Sequence, residues 1–85
     1  MTEQQDRQRQ RVFGVIAQVL GVPADQINED TSPDSAERWD SMSHLNLVVA
    51  LEAEFGIALT DDDVTDMLSV SLILGILRER GVPSL

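Results

Sequence analysis

The sequence predicts an all-α fold, a small four-helix bundle in which a long loop joins helices one and two. Three observations support this prediction: apolar residues recur at helical spacing, glycines follow the predicted helices, and no alternating strand pattern is seen. Three of the helices are main helices and the third along the chain is short. The 85 residues are enough for one domain, 1–85, with a modest hydrophobic core.

The composition limits the classes of function. Fifteen acidic residues and six arginines, without lysine, produce a formal net charge of −9. Nucleic acid is bound by clustered positive charge, so this composition argues against a nucleic-acid partner. It favours a protein partner with a basic face, attracted at long range. The simpler explanation is that acidic surfaces keep small proteins soluble. Cysteine is absent, which excludes disulfides, thiol catalysis and cysteine metal sites.

The first helix is predicted over about residues 4–20, ended by Gly21 and Pro23. Residues 21–39 then form a long connection rich in Pro, Asp, Ser and Asn. Loops longer than about 12–15 residues are uncommon in compact domains and tend to be functional or disordered. We expect Val22 and Ile27 to anchor this loop to the bundle.

The arginines before the apolar residues of the first helix are similar to the start of a signal peptide. Gln18 interrupts the apolar run, and no small-residue cleavage site follows. No stretch approaches the roughly 20 apolar residues of a membrane span. We therefore expect a cytoplasmic protein without a membrane partner.

The last two helices have clear start signals. Thr60 is predicted to cap the short third helix, with acidic residues in its first turn. Asp61, Asp62, Asp63 and Asp66 are expected to form a solvated acidic face. Ser69 is predicted to cap the fourth helix, about residues 70–80, which Gly81 follows.

The second helix, about residues 41–55, carries two apolar stripes. At ~100° per residue, an inner stripe and an outer stripe fall on separate faces. The inner stripe is predicted to be core and consists of Leu47, Val48, Leu51 and Phe55. The outer stripe is predicted to face outward and consists of Met42, Leu45 and Val49, flanked by Asn46 and Glu52. The alternative is that the long loop covers the outer stripe.

An Asp-Ser pair opens this second helix. Asp40 suits the N-cap, which places Ser41 at the first helical position, beside unpaired backbone N–H groups. A phosphate on Ser41 would be favoured there by roughly 0.3–1 kcal/mol, which suits a phosphodiester carried on the serine. The simpler interpretation is a tolerated first-turn serine.

The stretch WDSMSHLNLVVALEAEFGIALT resembles the acyl carrier proteins, whose signature is Asp-Ser-Leu opening a helix that ends in Leu-Glu-x-x-Phe. Length, acidity, helix order and the segments INEDTSP and LSVSLILGIL extend the resemblance over the whole chain, and discrete carriers with Trp-Asp-Ser are the most similar. Met42 stands where the family commonly has leucine, Asn46 where glutamate is frequent, and Leu72 where a polar residue is common.

The resemblance implies a role for each matching residue. Ser41 would be the attachment point of a covalent 4′-phosphopantetheine arm, added by a phosphopantetheinyl transferase that Asp40 helps to recognise. The protein would be a carrier and not an enzyme, because the working thiol belongs to the arm. The family's partner-docking face maps onto Met42, Leu45, Asn46, Val49 and Glu52. Its partners would be acyl-loading and acyl-transferring enzymes of fatty acid, polyketide or related biosynthesis, with basic docking faces.

Other interpretations remain open. The same scaffold could be a peptidyl or aminoacyl carrier, or an unmodified helical adaptor that binds through the second helix. A Ser41–His44 hydrolytic dyad is disfavoured, since it needs an orienting group and an oxyanion hole. We expect Trp39 and His44 instead to form a hydrophobic staple across the Asp40 cap. Residues 30–41 lack the glycine and terminal glutamate of a calcium loop, so we expect no metal site. We also expect a monomer.

Overall fold

The computed structural model describes residues 3–82 and 85. These residues form four α-helices and no strand, which confirms the predicted all-α bundle. A single 3₁₀ turn, Ala24–Gln26, lies in the long loop. The helix bounds agree with the predicted ones to within one residue. The helices are α1 (Glu3–Leu20), α2 (Ser41–Phe55), α3 (Asp61–Asp66) and α4 (Val70–Glu79).

The predicted caps begin the last three helices. Side-chain oxygens of Asp40, Thr60 and Ser69 each accept the backbone N–H three residues further on, at 2.8, 3.1 and 3.2 Å. Each cap satisfies one of the N–H groups that a helix start leaves without an intrahelical partner. At the other end of α2, Gly56 has a φ of 64°, the left-handed conformation that glycine adopts without a steric penalty.

The core lies between α1, α2 and α4. Its largest fully buried side chains come from these three helices and from the segment between α3 and α4. Their burial follows from the apolar stripes, because each helix turns its stripe toward the others. The largest fully buried residues are Val12, Ile16, Leu47, Leu51, Met67, Val70, Ile73 and Leu77.

The long loop is tied to the bundle by side chains and by backbone. Ile27 is buried and Val22 is half-buried against the core, as predicted. The carbonyls of Glu29 and Thr31 also accept the N–H groups of Ser71 and Val70, at 3.0 and 2.9 Å. These N–H groups belong to the first turn of α4, so the loop satisfies donors that the helix itself leaves unpaired.

The expectation of a solvated acidic face on α3 is wrong for Asp63, which is buried. Its two carboxylate oxygens accept from Nε and an NH2 group of Arg80, at 2.7 and 2.8 Å. The same carboxylate accepts the Thr60 N–H at 3.0 Å, which completes a capping box. Arg80 directly follows α4, so this ion pair fastens the start of α3 to the end of α4. Asp61, Asp62 and Asp66 are exposed, as predicted.

Candidate functional site

Ser41 is exposed at the first position of α2, where the sequence placed it. Asp40 is extended, with φ −95° and ψ −175°, and its Oδ1 accepts the Ser43 N–H at 2.8 Å. The chain therefore changes from extended to helical conformation between Asp40 and Ser41. This abrupt start leaves the serine hydroxyl at the tip of the helix, clear of the buried core.

The cap also sets the charge at this tip. The N–H of Ser43 that Asp40 accepts lowers the pKa of the Asp40 carboxyl below its ordinary value, since the bond favours the ionised form. Asp40 thus carries a negative charge beside Ser41 at neutral pH. One of the helix N–H groups near the serine is occupied by that carboxylate, as expected of an N-cap.

Trp39 and His44 lie on either side of the cap, which confirms the predicted staple. Their rings stack with centroids 6.2 Å apart and planes 23° from parallel. The structure adds two hydrogen bonds: Trp39 Nε1–H donates to His44 Nδ1 at 3.0 Å, and His44 Nε2 lies 2.8 Å from the Val64 carbonyl oxygen. The indole nitrogen can only donate, so His44 accepts at Nδ1 and donates from Nε2. The staple therefore joins the start of α2 to α3.

This arrangement answers the question of a Ser41–His44 dyad. Both ring nitrogens of His44 are engaged, one by Trp39 and one by the Val64 carbonyl. A general base for Ser41 would need a ring nitrogen free to accept the hydroxyl proton. In this conformation His44 has a structural role.

The outer stripe of α2 is exposed, and the long loop does not cover it. Met42, Leu45 and Val49 are 73%, 61% and 64% exposed, whereas Leu47 and Leu51 on the inner stripe are fully buried. The two predicted faces are therefore both present. Exposed apolar side chains in one row are typical of a contact surface.

The two polar residues beside the outer stripe differ in their surroundings. Asn46 is exposed. Glu52 is half-buried, and its Oε2 accepts the Leu59 N–H at 2.9 Å. This bond holds the segment between α2 and α3 against α2, a structural role that helical periodicity does not reveal.

A groove of about 550 Å³ opens beside Ser41. Its lining combines apolar residues from α2, the long loop and the segment after α3 with the polar residues Asp40 and Ser41. Leu68, between α3 and α4, is 60% exposed and is one of the lining residues. No local pattern predicts that Leu68 lies near Ser41, because the two are brought together only by the packing of α3. The lining residues are Pro33, Trp39, Asp40, Ser41, His44, Leu45 and Leu68.

A metal centre and a membrane-spanning helix are both absent from the described residues. Among the side chains of residues 7–82 and 85, no group of three or more His, Asp or Glu is arranged to hold a metal ion. Over the same part of the chain, each helix is too short or too polar to cross a bilayer.

Fold and site define a small helical bundle with an exposed serine at a capped helix start, beside an apolar groove. The family model described as "PP-binding: Phosphopantetheine attachment site" matches residues 10–77. The chain is also 29% identical over 75 residues to proteins named acyl carrier protein in Rickettsia canadensis (strain McKiel) and Rickettsia typhi (strain ATCC VR-144 / Wilmington). These matches cover 88% of this chain and 87% of each relative.

The chain belongs to the phosphopantetheine attachment site family. It is a carrier and not a catalyst, and its prosthetic group is a covalently attached phosphopantetheine.

Proposed function

We propose that this protein is an acyl carrier protein loaded on Ser41. A phosphopantetheinyl transferase would join the Ser41 oxygen to the phosphate of 4′-phosphopantetheine. The arm would supply a terminal thiol, on which acyl groups are carried as thioesters. The observation that carries the proposal is the exposed Ser41 hydroxyl at the first position of α2, directly after a capping aspartate.

The surroundings of Ser41 fit a bulky covalent group. The hydroxyl lies at the tip of a helix and lines an open groove, so an arm can leave the protein without displacing core side chains. The helix N-terminus favours a phosphate, while the ionised Asp40 next to it opposes one. Because the two effects oppose each other, we expect the phosphodiester to stay at the surface without tight hydrogen bonding to the N–H groups of the helix start.

Asp40 has two proposed roles. As the cap it fixes where α2 begins and therefore where the Ser41 hydroxyl lies. As an exposed carboxylate beside that hydroxyl it would also be recognised by the transferase. A loss of loading that exceeds the loss of stability in an Asp40 variant would separate the second role from the first.

The outer stripe is the proposed docking face for partner enzymes. Its apolar residues are exposed and lie on the helix that begins with Ser41, so a docked partner would have the arm within reach. The net charge of −9 favours partners with basic docking faces, attracted at long range. The proposed face consists of Met42, Leu45, Asn46, Val49 and Glu52, the last through the part of its carboxylate not bonded to Leu59.

We further propose that residues 1–85 act as one monomeric carrier domain in the cytoplasm. The partners would be acyl-loading and acyl-transferring enzymes of fatty acid, polyketide or related biosynthesis. Aminoacyl or peptidyl cargo is the competing proposal, because the same arm and the same serine would serve either. Identifying the thioester formed with each candidate loading enzyme would decide between them.

Intact mass after co-expression with a broad-specificity phosphopantetheinyl transferase tests the attachment. We expect the wild type to gain the mass of one arm, and Ser41→Ala to gain nothing while keeping its helicity, since a first-turn position tolerates alanine. Ser35→Ala and Ser43→Ala are matched controls, one in the loop and one in the same turn, and both should load normally. Arm attachment to Ser41→Ala would show that the site is wrong, and a wild type that gains no mass would favour the unmodified adaptor.

A further inference from the structure

The hydrogen-bonded pair of Trp39 and His44 has a chemical property beyond its packing role, which is sensitivity to protons. His44 is the single histidine of the chain, and cysteine is absent. Histidine is the side chain whose ordinary charge change falls between about pH 5 and pH 8. Among ordinary side-chain titrations, a response of this protein in that range therefore belongs to one ring.

The bond from Trp39 to His44 exists only while the imidazole is neutral. Trp39 Nε1–H donates to His44 Nδ1 at 3.0 Å, and an indole nitrogen never accepts. His44 Nε2 carries the proton of the neutral ring and donates to the Val64 carbonyl oxygen at 2.8 Å. A second proton on the ring must therefore bind at Nδ1. Two donors would then face each other, so the bond from Trp39 is lost.

This loss falls on a buried donor. Trp39 is 3% exposed, and within the described part of the chain His44 is the one acceptor for its indole N–H. A buried donor without an acceptor is costly, so either the indole moves towards water or the His44 ring turns away. The bond to Val64 opposes that turn, because a charged ring still donates from Nε2. The movement is therefore expected at Trp39 and the end of the long loop.

The charged groups around His44 titrate in a different pH range. Asp40 lines the groove together with His44, and the N–H of Ser43 lowers the pKa of its carboxyl. On α3, the hydrogen bond from Arg80 lowers the pKa of Asp63 to about 2. Both carboxylates are therefore ionised throughout the range in which a histidine changes its charge. The remaining acidic residues of α3 are exposed and are Asp61, Asp62 and Asp66.

On the basis of the proposed function, we infer that neutral His44 is a positioning residue for the loading of Ser41. It acts through Trp39, which lies two residues before Ser41 and lines the same groove. While the ring is neutral, Trp39 is fixed and the start of α2 is presented to the transferase in one orientation. When the ring is charged, Trp39 is released and the serine loses that fixed orientation. Loading of the carrier therefore slows in acid.

NMR on the isotope-labelled protein without its arm tests the link between the two rings. At pH 8 the nitrogen resonances of His44 should show a proton on Nε2 and none on Nδ1. Trp39 is the single tryptophan, so its indole N–H signal is unambiguous. Between about pH 8 and pH 5 it should shift with the same midpoint as the His44 ring. A constant indole signal, or a midpoint below about pH 4 that indicates a carboxylate, would overturn the inference.

Two substitutions of His44 separate proton sensitivity from packing. Asparagine places an amide oxygen near the position of Nδ1, so His44→Asn retains an acceptor for Trp39 that acid does not remove. Phenylalanine retains a ring without an acceptor, so His44→Phe lacks the bond at every pH. Both variants lose the imidazole bond to Val64, which makes them a matched pair.

Loading rates of the three proteins are then compared at each pH with one transferase, by intact mass against time. Comparison at equal pH cancels the pH dependence of the transferase itself. His44→Asn should load severalfold faster than His44→Phe at both pH 8 and pH 5, because it restores the acceptor. The wild-type rate should match the faster variant at pH 8 and fall towards the slower one at pH 5. Circular dichroism at each pH checks that all three are folded.

Two results of the loading comparison would contradict the role of His44. Equal rates for His44→Asn and His44→Phe would show that the bond to Trp39 does not position Ser41. A wild-type rate that keeps the same ratio to both variants at every pH would show that protonation of the ring has no effect on loading. A wild type that gains no mass even at pH 8 would overturn the proposed function, and the role of His44 in loading with it.

Discussion

Helices α2 and α3 are held in place by different kinds of interaction. α2 is anchored by apolar burial along its inner stripe, and its first two residues, Ser41 and Met42, are exposed. α3 has only six residues and is fastened by polar contacts: a capping box, the Arg80 ion pair and the bond from His44 to the Val64 carbonyl. A short helix has little apolar surface to bury. Specific polar contacts therefore provide for α3 the stabilisation that apolar burial provides for α2.

This difference explains how α2 can contribute both to the stability of the fold and to contacts with partners. Because the inner stripe anchors α2, the outer stripe and the first turn are free for contacts outside the protein. In α3 the cap Thr60 and the carboxylate of Asp63 are committed to the fold. Substitutions in α2 should therefore separate stability from function, whereas substitutions in α3 should change mainly stability and its pH dependence.

The largest effect is expected from Leu51→Ala on the inner stripe of α2. Leu51 is fully buried, so the truncation should reduce the free energy of unfolding by about 2–5 kcal/mol through lost burial and a cavity. Urea denaturation would measure the change. Val49→Ala on the outer stripe is the control and should be close to neutral, and equal losses for both variants would contradict the two-faced description of α2.

The ion pair of α3 should produce an acid-dependent loss of stability. The Arg80 guanidinium and the Thr60 N–H lower the pKa of Asp63 from 3.8 to about 2. Because the folded-state pKa is the lower one, the contribution of Asp63 is complete above pH 3.8 and is lost as the pH falls towards about 2. Asp63→Asn should therefore melt well below the wild type at pH 7, and the two melting temperatures should converge in acid.

Asp62→Asn is the matched control for Asp63→Asn, because it removes an equal charge from the same turn at an exposed position. Its melting temperature at pH 7 should stay near that of the wild type. Thermal melts between pH 7 and pH 2 would measure all three proteins. A constant gap between wild type and Asp63→Asn at every pH would show that the ion pair does not cause the acid dependence.

A smaller effect is expected from Asp40→Ala at the start of α2. Loss of a typical cap lowers the melting temperature of a domain of this size by about 4–8 °C. Loading by the transferase should slow further than this loss explains, since the carboxylate lies beside the reacting hydroxyl. Loading rates measured well below the melting temperature would separate the two effects. Normal loading rates in a folded variant would show that Asp40 acts only as a helix cap.

The smallest stability change is expected from Val49→Arg on the outer stripe. The position is 64% exposed, so the free energy of unfolding should stay within about 0.5 kcal/mol of the wild type. Docking of basic-faced partners should nevertheless weaken, because a cation replaces an apolar contact and opposes their charge. Loading and acyl-transfer rates would measure this. Unchanged rates with every partner tested would show that the outer stripe carries no recognition.

Local patterns were sufficient to predict where the helices begin and end. A cap such as Asp40, Thr60 or Ser69 accepts an N–H three residues away. A glycine such as Gly56 ends the helix by its own backbone conformation. Both signals therefore lie within a few residues of the helix end that they determine. The two stripes of α2 follow from the same short-range periodicity. The position of Ser41 at an exposed helix tip was predictable for this reason.

Contacts between distant segments depended on the packing of the whole bundle. Asp63 pairs with Arg80, 17 residues further along the chain, and Thr31 accepts from Val70, 39 residues away by number. Nothing local distinguishes Asp63 from the exposed Asp62 beside it, because burial is decided by what lies opposite in space. Leu68 likewise reaches the groove of Ser41 only because α3 folds back against α2. The sequence therefore specifies helix boundaries through short-range bonds, while the groove and the ion pair arise where those helices meet.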